Sequence, residues 1–360
     1  RRMRERYNRR RIEGSSMPNP IDTFSDPVLG ATWGELGAVR RAARLDERWH
    51  IDAVVGYPVD GLQEMYTRAL SEALNDAVVL DLAFAPPPSR NATAAGHLIA
   101  VASGKGGVGK STTAVNLALG LDRAGARTGI LDADIYGPSQ GMMLGVADGR
   151  RPEVRDQRLF VPIRAHGIEA MSMSMLTDEK TPMVWRGPMA SGALRQLLEQ
   201  TDWGGLDYLV VDMPPGTGDI QLTLSQQAAV SGVVIVTTPQ DIALLDARKG
   251  IEMFQKVDIP ILGIVENMSW FECGCGEVHH LFGEGGGARV AAEYGVELLG
   301  AFPLDPGIRE STDAGSPTVV ADPTGRVAGL YVDCARRVAG ALWQQSAIAA
   351  TPPSITMDDK

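Results

Sequence analysis

Short apolar runs recur along the chain from residue 97 onward, at 98–102, 128–131, 208–211, 233–237 and 261–265. Continuous runs of this length read as parallel strands buried on both faces, and the longer segments between them supply crossover helices. The pattern predicts a three-layer α/β domain over 97–345, with a mostly parallel sheet flanked by helices. Upstream the pattern changes. Leu62, Met65, Tyr66, Ala69, Leu70, Ala73 and Leu74 share one apolar helix face. Strands are predicted before that helix at 50–55 and after it at 77–84, which makes 24–84 a small α+β domain. Residues 85–96 contain Pro86, Pro87 and Pro88, which neither continue a helix nor donate to a central ladder, and read as a linker. The ends, 1–23 and 346–360, read as a disordered leader and a disordered tail.

Composition narrows the function classes. The chain has 360 residues, 44% of them hydrophobic, enough for two packed domains. No window approaches the roughly 18–20 apolar residues of a membrane-spanning helix, so no stable membrane association is expected. Three cysteines exclude a disulfide-stapled secreted scaffold, and a cytoplasmic enzyme is expected. The charge is uneven. Seven arginines and one glutamate put +6 on residues 1–12, so the rest of a chain with net charge -10 sums to -16. The leader reads as a solvated run upstream of a start at Met17, and an acidic body argues against nucleic acid as a partner.

One motif carries specific chemistry. Gly104-Lys-Gly-Gly-Val-Gly-Lys-Ser111 fits G-x-x-x-x-G-K-[ST], and it stands between a predicted strand and a predicted helix. Gly104, Gly106, Gly107 and Gly109 let successive N–H groups curl around phosphate oxygens, and the helix N-terminus adds partial positive charge. Lys110 is placed to neutralise the β/γ-phosphates and the Ser111 hydroxyl to ligate Mg²⁺. With Lys105, Val108 and Thr112, these residues form the predicted nucleotide site. Two further strands end in acids. Residues 208–212 finish on Asp212, suited to holding Mg²⁺ through water, and run into a stiff Pro214-Pro215-Gly216 turn whose Gly216 N–H is placed to sense the γ-phosphate. Residues 130–134 finish on Asp132 and Asp134, one of them suited to positioning the attacking water.

Lys105 inside the loop, together with the Asp132-Ala-Asp134 and Asp212–Gly216 segments, resembles the deviant-Walker ATPases such as MinD, ParA, ArsA and the nitrogenase iron protein. Longer strings at 131–139, 185–189, 206–219, 237–241, 265–269 and 282–287 are similar to the Mrp (ApbC) branch of iron–sulfur cluster carrier ATPases. The resemblance spans about 97–345 and implies a P-loop NTPase fold that hydrolyses ATP as a homodimer. It implies that Lys105 reaches the partner's phosphates, that Asp134 positions water, that Asp132 lies near the metal and that Asn267 reads the adenine edge. The catalytic set implied is Lys105, Lys110 and Asp134, and the magnesium set Ser111, Asp132 and Asp212. Residues 24–84 resemble the small MIP18-type domain that precedes the ATPase in such proteins, without the cysteine often found after its turn.

Cys273-Gly-Cys275 lies on a polar stretch poor for packing and suited to a soft metal. Two thiols give half of a Cys₄ site, and a symmetric dimer supplies the other half, bridging one cluster, [4Fe–4S] by the resemblance. The branch pattern is Cys-x-x-Cys, and this chain is one residue shorter. A zinc site from Cys273, Cys275, His279 and His280, and a loop without metal, remain open at this point. Cys334 reads as a packed residue. The leading expectation is an ATP-dependent carrier that receives a cluster from an assembly scaffold and hands it to apo iron–sulfur proteins. The alternatives are a MinD/ParA-like positioning switch and a P-loop metabolic kinase, for which no acceptor site is recognisable.

Overall fold

The computed structural model describes residues 20–89, 95–135, 137–147, 149–156, 158–175, 187–218, 221 and 229–350. The chain divides into two units, one made of residues up to 54 with 62–83, the other of 55–61 with 84 onward.

The smaller unit starts with a single-turn helix α1 (Trp33–Leu36), closed by a Thr32–Glu35 capping box. Strands β1 (Val39–Leu45), β2 (Arg48–Val55) and β3 (Ala77–Phe84) form a three-stranded sheet in that order, among the described residues. Along β2 the buried positions Ile51, Ala53 and Val55 alternate with more exposed ones, the period of a half-buried strand. Helix α2 (Gln63–Leu74) covers the predicted stretch, but only Tyr66 and Leu70 of it are buried and Met65 faces solvent. A buried carboxylate organises this unit. Asp26 accepts from Trp33 Nε1 (3.0 Å), Tyr66 Oη (2.9 Å) and the Val28 and Leu29 N–H groups. Trp33 and Tyr66 stack at 5.8 Å above it.

The larger unit is a doubly wound α/β fold. Its elements in order are β4 (Ala95–Ala102), α3 (Lys110–Arg123), β5 (Thr128–Asp132), α4 (Gln140–Met143), β6 (Glu153–Arg155), β7 (Leu159–Val161), β8 (Ile163–Ala165), β9 (Ile168–Ser172), α5 (Gly187–Glu199), β10 (Leu206–Asp212) and β11 (Gly232–Thr237). There follow α6 (Asp241–Gln255), β12 (Ile261–Glu272), β13 (Val278–His279), α7 (Gly286–Tyr294), β14 (Leu298–Pro303), α8 (Pro306–Asp313), α9 (Thr318–Ala321) and α10 (Arg326–Ala350). Among the described residues the sheet runs β13-β12-β11-β4-β10-β5-β9-β8, with β14 also paired to β12. All pairings from β12 to β9 are parallel, while β13 and β8 close the ends antiparallel.

Because β10 pairs with β4 on one side, with β5 beyond it, and β11 pairs with β4 on the other, the carboxyl edge of β4 is the switch point where such sheets take ligands. Apolar side chains fix that frame. Leu98, Leu131, Val211, Ile235 and Ile264 of the strands pack with Leu194 and Leu197 of α5 and with Leu244, Ile251 and Phe254 of α6. Each such side chain fully withdrawn from water contributes about 1.5–3 kcal/mol. On α10, Tyr331 packs against Phe302 of β14, with ring centroids 4.1 Å apart.

The element bounds differ from the periodicity reading in four places. β4 begins at Ala95, inside the stretch read as linker. β12 runs seven residues past the apolar segment 261–265, because pairing to β11 and β14 carries polar residues along with apolar ones. Helix α10 continues to Ala350, into the stretch read as tail, with Ala341, Leu342 and Trp343 buried. The turn 55–61, read with the smaller unit, groups with the larger one. There the Asp60 N–H donates to the Ala124 carbonyl (3.0 Å) and Tyr208 Oη to the Gly56 carbonyl (3.3 Å). The expectations on 1–19 and on 351–360 lie outside the described residues. No described helix is long and apolar enough to cross a membrane.

Candidate functional site

The chain leaves β4 at Ala102, turns through 103–109 and enters α3 at Lys110. The first N–H groups of α3 have no partner within the helix and sit at its positive end, which makes the loop an anion cradle. Gly109 caps the helix at φ 84°, and a Cβ there would overlap the side-chain amide of Asn267. That amide donates to the Val108 carbonyl (2.9 Å) and so pins the loop to β12. Ser103 Oγ donates to the Lys105 carbonyl (2.9 Å). Lys105 itself is half-buried, with Nζ 3.5 Å from Gln240 Oε1 at the start of α6. Thr112 faces partly outward and its carbonyl accepts from Asn116 Nδ2 (3.0 Å).

Behind the loop lies a buried ionic network. Lys110 Nζ donates to Asp212 Oδ1 (2.5 Å) and to Ser111 Oγ (3.1 Å). The other Asp212 oxygen accepts from Gln140 Nε2 (2.8 Å), which also donates to the Ser111 carbonyl (3.0 Å). Asp132 accepts from Ser139 N (2.8 Å), Gln140 N (3.0 Å) and Ser172 Oγ (3.1 Å) on one oxygen and from Asp134 N (3.1 Å) on the other. Burial, and then the neighbouring Asp212 charge, push the Asp132 carboxyl up to about 7 against these donors. Three donors on one oxygen and one on the other make Asp132 an organiser of the 134–140 turn. Asp134 accepts from Gly137 N (3.2 Å) and is buried at the same edge.

Gly216 departs from expectation. Its N–H, expected to sense a γ-phosphate, donates to the Ser103 carbonyl (3.0 Å) and ties the post-Asp212 turn to the loop. Its φ of 101° lies in the left-handed region that glycine tolerates.

The two cysteines sit on a hairpin that continues β12. Phe271 pairs with His279 and Glu272 with Val278, and the turn between them closes through Cys273 N to Glu277 O (2.9 Å) and Gly276 N to Cys273 O (2.8 Å). Cys273 and Cys275 are joined here as a disulfide, with Cα atoms 5.3 Å apart. Their sulfurs and a Glu277 carboxylate oxygen all lie within 4.8 Å of one another. Cys275 and Glu277 are exposed and Cys273 half-buried. His279 Nε2 lies 3.8 Å from a Glu277 carboxylate oxygen, but neither histidine joins the two sulfurs. His279 stacks on Phe271 at 6.4 Å, and His280 Nδ1 lies 3.0 Å from the Ser269 carbonyl. The four ligands of the zinc alternative are therefore not gathered. Cys334 is buried on α10, where desolvation pushes its thiol up to about 12, so it is inert as a ligand.

Sequence reasoning missed Gln140 and Glu277. Neither carries a motif of its own. Gln140 gains its place only because β5 and β10 lie side by side and bring 132–140 against Asp212. Glu277 does so only because the hairpin turn is tight.

Comparison with known proteins follows the same division. The family model described as ParA, NUBPL iron-transfer P-loop NTPase, matches residues 94–339. An iron-sulfur cluster carrier protein of Pseudomonas fragi is 67% identical over 240 residues, covering 66% of this chain and 84% of its own length. The iron-sulfur cluster carrier protein of Haemophilus influenzae is 47% identical over 341 residues, covering 91% of this chain and 92% of its own, and so reaches into the smaller unit. Among solved structures, the nucleotide-binding protein of Archaeoglobus fulgidus in complex with ADP aligns with TM-score 0.55 at 41% identity, over 61% of this chain and 87% of that one. On its phosphate loop, its sheet order and a match covering most of its length, this chain belongs to the family of NUBPL-type iron-transfer P-loop NTPases.

Proposed function

We propose that this chain binds and hydrolyses Mg–ATP and carries an iron–sulfur cluster between two copies of itself for delivery to apo-proteins. The observation that carries the reading is strand β12. Its Asn267 holds the phosphate loop, and six residues later, about 20 Å at the rise of a strand, it delivers Cys273 and Cys275. A nucleotide site and a thiol pair on one strand suit a carrier whose cargo responds to nucleotide.

Loop N–H groups from Gly104 to Thr112 cradle the phosphates, and Asn267 stands beside them where a base edge can be read. Lys110, resting on Asp212, transfers its charge to the β/γ-phosphates when they arrive, which frees one Asp212 oxygen. The donor set there fits magnesium. Ser111 and Asp212 offer hard oxygens, and buried Ser139 Oγ and Gln140 Oε1 have no hydrogen-bond partner among the described residues. Magnesium, when bound, supplies charge neutralisation between phosphate oxygens. Asp134 is the acid placed to orient the attacking water. Lys105, whose side chain meets Gln240 at 3.5 Å, is the lysine we assign to a partner's phosphates.

The hairpin offers two soft thiolates when reduced and no more, so a cluster needs a second chain to complete its ligands. A [4Fe–4S] cluster on the two-fold axis is the simplest cargo. A cytoplasmic setting, where thiols stay reduced, suits that state, and the scaffold that loads the cluster and the apo-proteins that receive it are the partners. We read the smaller unit as the MIP18-type domain of such carriers.

Anaerobic reconstitution with iron and sulfide tests the reading. Wild type is expected to gain cluster absorption and about one cluster per two chains, and a Cys273→Ala, Cys275→Ala variant to gain neither while still binding ATP. Equal iron and sulfide in both proteins would sink it.

A further inference from the structure

We infer that Gln140 is a positioning residue for the metal–phosphate end of the nucleotide site, a role that rests on the Mg–ATP reading above. It is 1% exposed, on the first turn of the short helix that follows Asp132 and Asp134. This one residue holds three parts of the site at once. Nε2 donates to Asp212 Oδ2 (2.8 Å) and to the carbonyl of Ser111 in the first turn of α3 (3.0 Å). The Gln140 backbone N–H donates to Asp132 (3.0 Å). The ends of β5 and β10 and the start of the phosphate-loop helix are thereby fixed to one another.

The geometry separates two jobs on Asp212. Lys110 occupies Oδ1 and has to leave it when phosphate arrives; Gln140 occupies Oδ2 and need not. Gln140 therefore keeps the carboxylate from rotating during the exchange, so that the vacated oxygen faces the metal side beside Ser111. The opposite end of the same amide points to the same conclusion. Gln140 Oε1 is buried with no hydrogen-bond partner among the described residues, as is Ser139 Oγ beside it. A buried acceptor left without a donor is costly, and waters in the coordination shell of a hydrated cation are donors that would satisfy both.

A positioning role predicts a loss confined to the metal-dependent part of nucleotide binding. The measurement is the affinity of a fluorescent ADP analogue for the full-length protein, first with EDTA and then across a Mg²⁺ titration. Gln140→Met keeps the volume and removes both amide functions; Gln140→Asn keeps an amide too short to span Asp212 and Ser111. The expected result is a Mg²⁺ midpoint raised about tenfold in both variants, the scale of one lost hydrogen bond to a charged group, with the EDTA affinity unchanged. The EDTA affinity also reports folding, and the Gln140→Asn variant serves alone if Gln140→Met folds poorly. Wild-type midpoints in both variants would overturn the inference, as would an equal loss with and without Mg²⁺, which marks a purely structural residue. A wild-type titration already flat in Mg²⁺ overturns the magnesium part of the Mg–ATP reading, and absence of binding with or without Mg²⁺ overturns that reading whole; both are told apart by appearing before any substitution is made.

Discussion

Strand β12 touches the phosphate loop through Asn267 and runs on into the cysteine hairpin, and the two are built in opposite ways. At the loop, Lys110, Asp132, Asp134, Gln140 and Asp212 are all buried, and donors from α3, α4 and the 134–140 turn converge on the carboxylates. These buried residues all come from one chain and hold one another in place through their own hydrogen bonds. At the hairpin, a two-residue strand supports a turn whose Cys275 and Glu277 are exposed, with two sulfurs, joined here as a disulfide, and one carboxylate oxygen within 4.8 Å of one another. That site is half of something. The difference teaches that the middle of β12, at Asn267, and its carboxyl end answer to different partners. The nucleotide part is a cradle organised by buried groups, and the hairpin is an open face, which the proposed function assigns to a soft cargo and a second chain.

The sharpest way to break the comparison is at the buried ion pair. Lys110→Ala leaves Asp212 with a buried charge and no cation, so unfolding free energy is expected to fall by about 3–5 kcal/mol and ATP affinity by more than about 100-fold. Urea melts and calorimetric titration read both. Near-wild-type affinity would mean that the loop is not where phosphate binds. The Cys273→Ala, Cys275→Ala variant gives the contrast, because an exposed hairpin should shift stability by no more than about 0.5 kcal/mol. A large loss of stability there would show that the hairpin, too, is part of the frame.

Gly109→Ala asks whether the strand transmits anything. The new Cβ meets the Asn267 amide at a backbone φ of 84°, and strain of this kind costs about 1–3 kcal/mol. The expected outcome is weaker nucleotide binding with the cysteine hairpin still able to take up iron. Loss of iron uptake along with nucleotide binding would instead tie the middle of β12 and its carboxyl end into one cooperative element.

How much of this was legible follows from how local each feature is. The phosphate loop could be read because eight consecutive residues carry the whole pattern and the flanking strand and helix confirm its setting. The acids at 132, 134 and 212 could be read because each closes an apolar run. The donors that meet Asp132, from Ser139, Gln140 and Ser172, could not, since only the sheet order brings them together. The length of β12 was hidden for a related reason. Pairing of Trp270 to β14 and of Phe271 and Glu272 to β13 carries the polar residues Asn267 and Ser269 into a strand that apolar periodicity ends at 265. The short strands β6 to β9 left no periodic trace at three to five residues each.

A pH scan is expected to give the smallest effect, and it separates the frame from both sites. His97 lies at the opposite end of β4 from the phosphate loop, buried, with Nε2 2.8 Å from the Pro87 carbonyl. Burial holds its imidazole below the ordinary histidine range, with the bond to Pro87 opposing. The folded chain therefore takes up this proton less readily than the unfolded chain. The stability linked to His97 is fully present above the unfolded pKa of about 6.5 and drains away as pH falls below it toward the folded value. The urea midpoint of wild type should thus fall more steeply between pH 7.5 and 5.5 than that of His97→Gln, whose amide still donates to Pro87 and has no proton to gain. Nucleotide affinity at pH 7.5 should be the same in both, because the loop end of β4 is held by its own network. Parallel pH slopes in the two proteins would mean that His97 is as easily protonated folded as unfolded; a changed affinity would mean that the frame and the loop are not independent.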